Sequence, residues 1–242
     1  MTDALFAPAA GPSTGPVGGW RHARVLSADH PHPAAVRLRL DVPDRVDHVP
    51  GQHYVVRLTA DDGYRAQRSY SVASAPSDPA VELWVDRLPD GEVSGFLADE
   101  VRAGDTLEVR GPVGGWFVWD GSGPALAVGG GSGVVPLVAM LRHAQDLGVR
   151  ERLRLAVAAR TRTLLPYADE LLAAGALVAL SREDAAGRAA GRLGADDLRT
   201  LVGPGPAFVC GSAGFAGAAS RLLVELGVDE GAVRVERFGP TG

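Results

Sequence analysis

Four consecutive residues in the first half of the chain have side chains suited to holding a nucleotide that carries a flat ring. Arg68-Ser69-Tyr70-Ser71 stands at the start of a β-type run. An arginine can pair with a phosphate, a tyrosine can pack against a ring, and a serine hydroxyl can hydrogen-bond a ring nitrogen. Taken alone, the same four residues are also typical of an ordinary half-exposed strand.

A glycine-rich stretch in the second half predicts a phosphate-binding loop. It lies between the apolar run 125–128 and a helix start with Pro136 in its first turn, where proline costs nothing. Glycines let backbone amides approach a pyrophosphate, and a helix N-terminus adds partial positive charge. The candidate binding residues are Gly130, Gly131, Ser132 and Gly133. The alternative is a tight turn in some other α/β domain, since the stretch is not the six-residue dinucleotide fingerprint.

A second helix start with anion-binding character follows the first motif. Gly91-Glu92-Val93-Ser94 precedes a helical run over 96–100, and this predicts Ser94 as an N-cap. An anion could then bind at the helix start. A plain capped helix explains the residues equally well.

Basic residues at two predicted strand ends indicate a contact with a 2′-phosphate. Ser181 and Arg182 follow the run 176–180, and Arg160 ends the preceding strand. Serine and arginine at the carboxyl end of a strand can hold such a phosphate. The alternative is that these arginines form a solvated loop face.

Cys210 is the only cysteine in the sequence. The count excludes an intrachain disulfide, a cysteine zinc site and an iron–sulfur cluster held by these residues alone. Cys210 ends an apolar run, and a lone buried cysteine is usually inert packing. His30 and His32 form a spaced pair, but no cluster of further metal-ligating residues accompanies them, so no metal site is predicted.

The elements that position these residues change in type along the chain. From residue 20 to 120, short β-type runs separated by turn residues predict a sandwich or barrel. From 124 onward, apolar strands alternate with helical runs, which indicates a parallel sheet with helices on both faces. The predicted domains are therefore 20–120 and 124–242. Residues 1–19 are rich in Ala, Gly, Pro, Ser and Thr and predict a mobile tail.

Composition limits the classes of partner. A formal net charge of -5 with no basic tract disfavours nucleic acid and anionic lipid. No apolar stretch reaches the roughly 20 residues that span a bilayer, and the start lacks a signal-peptide pattern, so a cytoplasmic location is expected.

Five motifs together resemble the ferredoxin–NADP reductase family, in order and in spacing. The resemblance is to a stand-alone reductase module of the bacterial oxygenase-reductase type, and it covers nearly everything from Trp20 onward. The motifs are Arg68-Ser69-Tyr70-Ser71, Gly91-Glu92-Val93-Ser94, Gly111-Pro112-Val113-Gly114, the loop from Gly129 to Pro136, and Cys210-Gly211-Ser212.

The resemblance implies a Greek-key flavin barrel followed by a nucleotide-binding α/β domain. It implies that Arg68 and Ser94 hold the FAD pyrophosphate, with backbone amides of Gly91 and Val93, while Tyr70 and Ser71 face the isoalloxazine.

In the nucleotide domain, the resemblance implies that Cys210 orients hydride transfer beside nicotinamide C4 and flavin N5. Glu236 and Phe238 resemble positions where the tail approaches the flavin, although an ordinary edge strand is equally compatible. Ser212 stands where the family usually has proline, and Phe215 lies near the usual position of a methionine.

The expected function is an FAD-dependent NAD(P)H oxidoreductase. Hydride would pass from NADPH or NADH to FAD, and electrons would then pass to an acceptor such as a ferredoxin on another protein. The alternatives are a reductase of free flavins or quinones, and an FAD-binding subunit that serves electron transfer or regulation without independent turnover.

Overall fold

The computed structural model describes residues 19–185 and 187–239. The predicted tail, 1–19, lies outside these residues except for its last position. The chain divides into two compact units, the first ending at Gly115 and the second beginning at Trp116.

The first unit is an antiparallel sheet of six strands in the order β4-β3-β6-β1-β2-β5. Its strands are β1 (Arg21–His32), β2 (Ala35–Asp41), β3 (His53–Thr59), β4 (Arg65–Ser71), β5 (Val81–Asp86) and β6 (Thr106–Val113). An isolated bridge between Val72 and Leu83 brings the end of β4 to β5, the other outer strand of the order. This bridge closes the sheet into the predicted barrel.

Alternation of side chains accounts for the barrel core. In β2, Val36, Leu38 and Leu40 are fully buried, while the arginines between them are partly exposed. Apolar residues and arginines alternate over 36–40, and successive side chains of a strand point to opposite faces. The apolar side chains therefore all face the core. The single helix among the described residues of this unit is α1 (Glu92–Asp99), which buries Val93 and Leu97 against the same core.

The second unit is a parallel sheet of five strands in the order β11-β10-β7-β8-β9. The strands are β7 (Ala125–Gly130), β8 (Leu153–Ala159), β9 (Leu177–Leu180), β10 (Ala207–Ser212) and β11 (Val233–Phe238). The helices are α2 (Val135–Asp146), α3 (Ala168–Ala173), α4 (Ala195–Arg199) and α5 (Ala213–Glu225).

Both faces of this sheet are covered, as the continuous apolar strands predict. In β7, Ala125 and Ala127 belong to the core that includes α2 and α3, whereas Leu126 and Val128 belong to the core that includes α4 and α5. The predicted two-domain fold class, a β-barrel followed by a parallel α/β domain, is confirmed.

One predicted helix start is wrong. The sequence places helical residues at 96–100 with Ser94 as N-cap, but α1 begins at Glu92 and its N-cap is Gly91. Ser94 therefore lies inside the first turn. Its hydroxyl accepts a hydrogen bond from Leu88 N–H at 3.2 Å and donates one to the Gly91 carbonyl at 3.3 Å. These bonds hold the preceding loop against the helix.

No helix among the described residues is long and apolar enough to cross a membrane.

Candidate functional site

The first candidate motif lies on the outer strand β4, which pairs with β3 in antiparallel register. Arg68 and Ser69 are exposed, Tyr70 is half-buried and Ser71 is buried. Arg68 Nη1 donates to the neighbouring Gln67 carbonyl at 2.7 Å, and no ion pair of Arg68 occurs within the described ranges. Its guanidinium is therefore available for an anion. Burial raises the pKa of the Tyr70 hydroxyl, which stays neutral.

The Ser71 hydroxyl is one of several buried polar groups without a protein partner in the described part of this unit, and it belongs to the candidate motif. The residue is 4% exposed, and among the described residues its Oγ atom has no hydrogen-bond partner. Buried polar groups in native proteins are nearly always paired, so this oxygen fits a ligand group placed against the strand end. A ring nitrogen of a flavin would supply that partner.

His53 is a candidate site residue that the sequence analysis missed. It stands directly opposite Ser71 in the β3–β4 pairing, and opposed side chains in an antiparallel pair share one face of the sheet. Burial lowers the pKa of the His53 imidazole, which favours the neutral ring. No local sequence signal identifies His53, since its position depends on strand register.

The start of α1 forms a concave surface close to a helix N-terminus. A cavity of about 340 Å³ is lined by Arg87, Leu88, Asp90, Gly91, Glu92 and Gly95. The first hydrogen bond within the helix runs from the Gly95 N–H to the Gly91 carbonyl at 2.7 Å. The backbone N–H groups of the first turn, including that of Val93, therefore have no acceptor within the helix. The helix start favours a phosphate, whereas the carboxylates of Asp90 and Glu92 oppose one.

Gly91 is required at this point by close packing. A Cβ atom there would lie 2.3 Å from Ser94 Oγ and 3.0 Å from Leu88 Cβ. Ser94 is buried, and its hydroxyl already bonds the Leu88 N–H and the Gly91 carbonyl, so a contact with a phosphate would have to replace the bond to Gly91. The expected contact of Ser94 with pyrophosphate remains a prediction. The groups that fit a flavin nucleotide are the exposed Arg68 guanidinium, the unpaired Ser71 hydroxyl and the amides at the start of α1.

In the second unit, the glycine loop leaves the end of β7 as a 3-10 turn, Gly131–Val134, and leads into α2. At two of its four candidate residues, neighbouring atoms occupy the space that a side chain would need. A Cβ atom at Gly130 would lie 2.6 Å from Phe215 Cγ, and one at Gly133 would lie 2.2 Å from the Cys210 carbonyl oxygen. Gly131, at φ 57°, faces open space and Ser132 is half-buried. Gly131 and Ser132 are therefore the loop residues with room for a phosphate.

Cys210 lies in the middle of the sheet, next to Gly129 of β7 and Glu236 of β11 in the strand register. Its side chain is fully buried, and burial raises the pKa of the thiol, with the Glu236 carboxylate adding to the effect. The raised pKa favours the neutral thiol over the thiolate.

Glu236 carries an unusual carboxyl group. Burial raises its pKa to about 7, and its Oε2 atom is buried with no hydrogen-bond partner among the described residues. Phe238, two residues later, is half-buried and packs against the core that contains Cys210.

The basic residues at the ends of β8 and β9 are adjacent, as predicted from parallel strands. Backbone bonds of 3.0 Å join Ser181 N–H to the Ala159 carbonyl and Arg182 N–H to the Arg160 carbonyl. Both arginines are exposed, and neither forms an ion pair with another described residue. Two cationic groups and a hydroxyl thus stand at one edge of the sheet.

Arg188, by contrast, is committed to structure. Its Nε and Nη2 atoms bond the two carboxylate oxygens of Asp197 at 2.8 and 2.9 Å, and its amino groups also bond the carbonyls of Ala189, Gly191 and Arg192. Arg188 cross-links the loop after β9 through these hydrogen bonds and is not available to a ligand.

Comparison with known proteins matches both units. Residues 25–118 match the family model of the oxidoreductase FAD-binding domain. The ferredoxin–NAD(P)(+) reductase component of the naphthalene 1,2-dioxygenase/salicylate 5-hydroxylase systems of Ralstonia sp. is 28% identical over 218 residues, or 85% of this chain and 65% of the relative. The propane 2-monooxygenase reductase component of Mycolicibacterium goodii is 33% identical over 143 residues, or 58% of this chain and 40% of the relative. The chain thus spans less than two thirds of either relative.

Solved structures share the two-unit architecture. The FAD/NAD-binding domain of nitric oxide dioxygenase from Vibrio cholerae has a TM-score of 0.78 at 24% identity, covering 91% of this chain and 99% of the other. The ferredoxin NADP+ reductase from Neisseria gonorrhoeae, solved with FAD and NADP, has a TM-score of 0.77 at 18% identity, covering 90% and 98%. At these identities the likeness shows the fold.

Proposed function

Because residues 25–118 form an oxidoreductase FAD-binding domain and the chain has the two-domain fold of the ferredoxin reductase-like flavoproteins, we propose that it is a flavin-dependent NAD(P)H reductase. FAD bound to the first unit would accept hydride from a reduced nicotinamide nucleotide and pass electrons onward. The observation that carries the proposal is the buried, unpaired Ser71 hydroxyl at the end of the outer strand that presents Arg68.

The first unit supplies contacts for distinct parts of FAD. Arg68 would bind a phosphate by charge-assisted hydrogen bonds, and the Val93 amide at the start of α1 would add a neutral donor. The Gly91 amide, the other donor expected from the sequence, already donates to the Leu88 carbonyl at 3.2 Å. Tyr70 would pack against the isoalloxazine, Ser71 would hydrogen-bond its ring, and the exposed Ser69 would lie beside the nucleotide. His53, on the same face as Ser71, joins this set.

The second unit would bind the nicotinamide nucleotide at the carboxyl edge of its sheet. Gly131 and Ser132 are the accessible residues for the pyrophosphate, with Gly130 and Gly133 shaping the loop. Ser181, Arg182 and Arg160 present a hydroxyl and two unpaired cations, which favours a 2′-phosphate and therefore NADPH over NADH. Cys210 would act as an orienting group for hydride transfer, and Phe238 would flank the same strand ends.

The electron acceptor is proposed to be a separate redox centre. Within these 242 residues the single cysteine cannot hold an iron–sulfur cluster. The two relatives named above are reductase components of oxygenase systems, which supports a ferredoxin or an oxygenase component as the acceptor.

A steady-state comparison of nucleotides tests the proposal. Protein reconstituted with FAD is expected to reduce an artificial acceptor such as ferricyanide faster with NADPH than with NADH. Arg182→Glu should raise KM for NADPH by roughly 10-fold or more, the effect of losing about 1.5–3 kcal/mol of charged hydrogen bonding, and leave KM for NADH nearly unchanged. Arg192→Glu, an exposed arginine of the same loop, is the matched control.

Two outcomes would contradict the proposal. Failure of the reconstituted protein to oxidise either nucleotide would exclude the reductase function. Equal changes in KM for both nucleotides in the Arg182 variant would remove the 2′-phosphate assignment while keeping the reductase.

A further inference from the structure

The strand order places a topological switch point between β7 and β10. From β7 the chain moves to β8 and then β9 on one side, and afterwards returns to β10 on the other side. In open α/β sheets, ligands bind outside the carboxyl ends of the strands at such a point. The crevice between the end of β7 and the end of β10 is therefore the place where the nucleotide is expected.

An aromatic ring lies against both strand ends that form this crevice. A Cβ atom at Gly130, the last residue of β7, would lie 2.6–2.7 Å from Cγ, Cδ1 and Cδ2 of Phe215. Three ring atoms at nearly equal distance mean that one face of the ring lies on the Gly130 backbone. A Cβ atom at Gly211 in β10 would lie 2.7 Å from Phe215 Cδ1. The ring thus contacts both strand ends where neither residue has a side chain.

A second contact fixes the same two segments nearer to the sheet. Gly133, in the loop after β7, packs directly on the Cys210 carbonyl, where a Cβ atom would lie 2.2 Å from the oxygen. Phe215 itself is anchored, because its N–H donates to the Ser212 hydroxyl at 3.3 Å in the cap of α5. The ring is half-buried, so part of it faces solvent at the strand ends.

We infer that Phe215 is a positioning residue for nicotinamide, because its ring sets the distance between the Gly130 loop and the Cys210–Gly211 strand end. This inference rests on the proposed reductase function. Without the ring, Ser132 and Arg182 would still bind the nucleotide phosphates, but the strand ends beside the nicotinamide would be free to shift. Hydride transfer needs reacting atoms about 3–3.5 Å apart in an aligned pose, and a 1 Å misplacement can cost on the order of 100-fold.

Single-turnover reduction of the bound FAD by NADPH, followed by stopped-flow absorbance, tests the inference. Phe215→Ala is expected to lower the limiting rate of flavin reduction by roughly 10- to 100-fold while the apparent Kd for NADPH changes by less than about threefold. Phe215→Tyr keeps the ring and should react at nearly the wild-type rate. Val224→Ala, an exposed site on the same helix, controls for effects of substitution in α5.

A double variant makes the geometry itself testable. Gly130→Ala places a methyl group where the Phe215 ring lies and should also slow flavin reduction. Gly130→Ala combined with Phe215→Ala should be no slower than Phe215→Ala alone, because the methyl then occupies space that the ring has left. If Phe215→Ala fails to fold, Phe215→Leu carries the same comparison.

The possible failures are distinguishable. Wild-type rates in both Phe215→Ala and Gly130→Ala, or rate losses in the double variant that multiply, would overturn the positioning role. A loss of rate accompanied by an equal loss of FAD or of NADPH affinity would also overturn it, since that pattern indicates general damage. A wild-type flavin that neither NADPH nor NADH reduces would instead overturn the reductase function.

Discussion

Ser71 and His53 illustrate what single residues contribute to this site. The Ser71 hydroxyl is buried without a protein partner in the described part of the chain, and His53 lies opposite it in the strand pairing. A buried hydroxyl left unpaired is costly, so a ligand that bonds it recovers that cost. The unpaired Ser71 hydroxyl therefore supports the proposed flavin contact at the end of β4.

Ser71→Ala should slow reduction of the flavin by about 3- to 10-fold, the effect of one hydrogen bond worth roughly 0.5–1.5 kcal/mol. FAD content should stay near one per chain, because Arg68 and the helix-start amides are retained. Stopped-flow reduction by NADPH measures the rate, and the absorbance of the purified protein measures the flavin. Ser27→Ala, on β1 of the same barrel, is the control; equal rates in all three proteins would show that the Ser71 hydroxyl does not act on the flavin.

Glu236 should make stability depend on pH. Its pKa rises from 4.5 to about 7 on folding because burial penalises the charged carboxylate. Between these pH values the folded state keeps a proton that the unfolded state releases. The contribution of Glu236 to the free energy of unfolding is therefore fully present below pH 4.5 and is lost as pH rises through about 7. A shift of this size corresponds to about 3 kcal/mol.

The measurement is denaturant unfolding of wild type and Glu236→Gln at several pH values from 4.5 to 8. Glutamine stays neutral throughout, so the variant should gain stability relative to wild type as pH rises, and the difference should level off above pH 8. A difference independent of pH would show that the carboxyl group titrates normally.

At the scale of elements, the loop after β7 has glycines for two separate reasons. Gly131 adopts φ 57°, a left-handed conformation that favours glycine. Gly130 and Gly133 are small because Phe215 and the Cys210 carbonyl occupy the space of a side chain. The glycine motif therefore serves packing between β7 and β10, in addition to the phosphate binding proposed for this loop.

Gly133→Ala should destabilise the second unit by roughly 1–3 kcal/mol, the usual range for an overpacked site, because backbone atoms of β10 cannot move aside cheaply. Gly217→Ala provides the contrast within α5, where the nearest atom to a new Cβ is the flexible Arg221 Nη1 at 3.7 Å. That helical substitution should stabilise by about 0.5–1 kcal/mol. Urea unfolding of both variants checks the pair, and a stable Gly133→Ala protein would contradict the packing account.

The whole molecule consists of two units with separate cores, and the proposed function assigns one nucleotide to each unit. Each unit presents its own cations, Arg68 on the barrel and Arg182 with Arg160 on the parallel sheet. Binding of FAD and of the nicotinamide nucleotide should therefore respond to different substitutions.

Arg68→Ala should weaken FAD binding by about 1.5–3 kcal/mol, the scale of a charge-assisted hydrogen bond. Titration of the apoprotein with FAD measures this loss. Binding of NADP to the same apoprotein, followed by calorimetry, should match wild type, because its contacts lie in the second unit. An unchanged FAD affinity would show that Arg68 does not hold a phosphate.

The sequence by itself determined the fold class, the order of the strands along the chain and the residue sets that could bind phosphate. These follow from local patterns: alternation in β2, continuous apolar runs in β7 and β8, and glycines beside a helix start. Tertiary structure decided the start of α1, where Ser94 bonds inside the first turn, the burial of the Ser71 hydroxyl without a protein partner among the described residues, and the contacts of Phe215. It also committed Arg188 to Asp197 while leaving Arg182 exposed. Those outcomes depend on strand register and on contacts between segments far apart in sequence, and no local pattern contains that information.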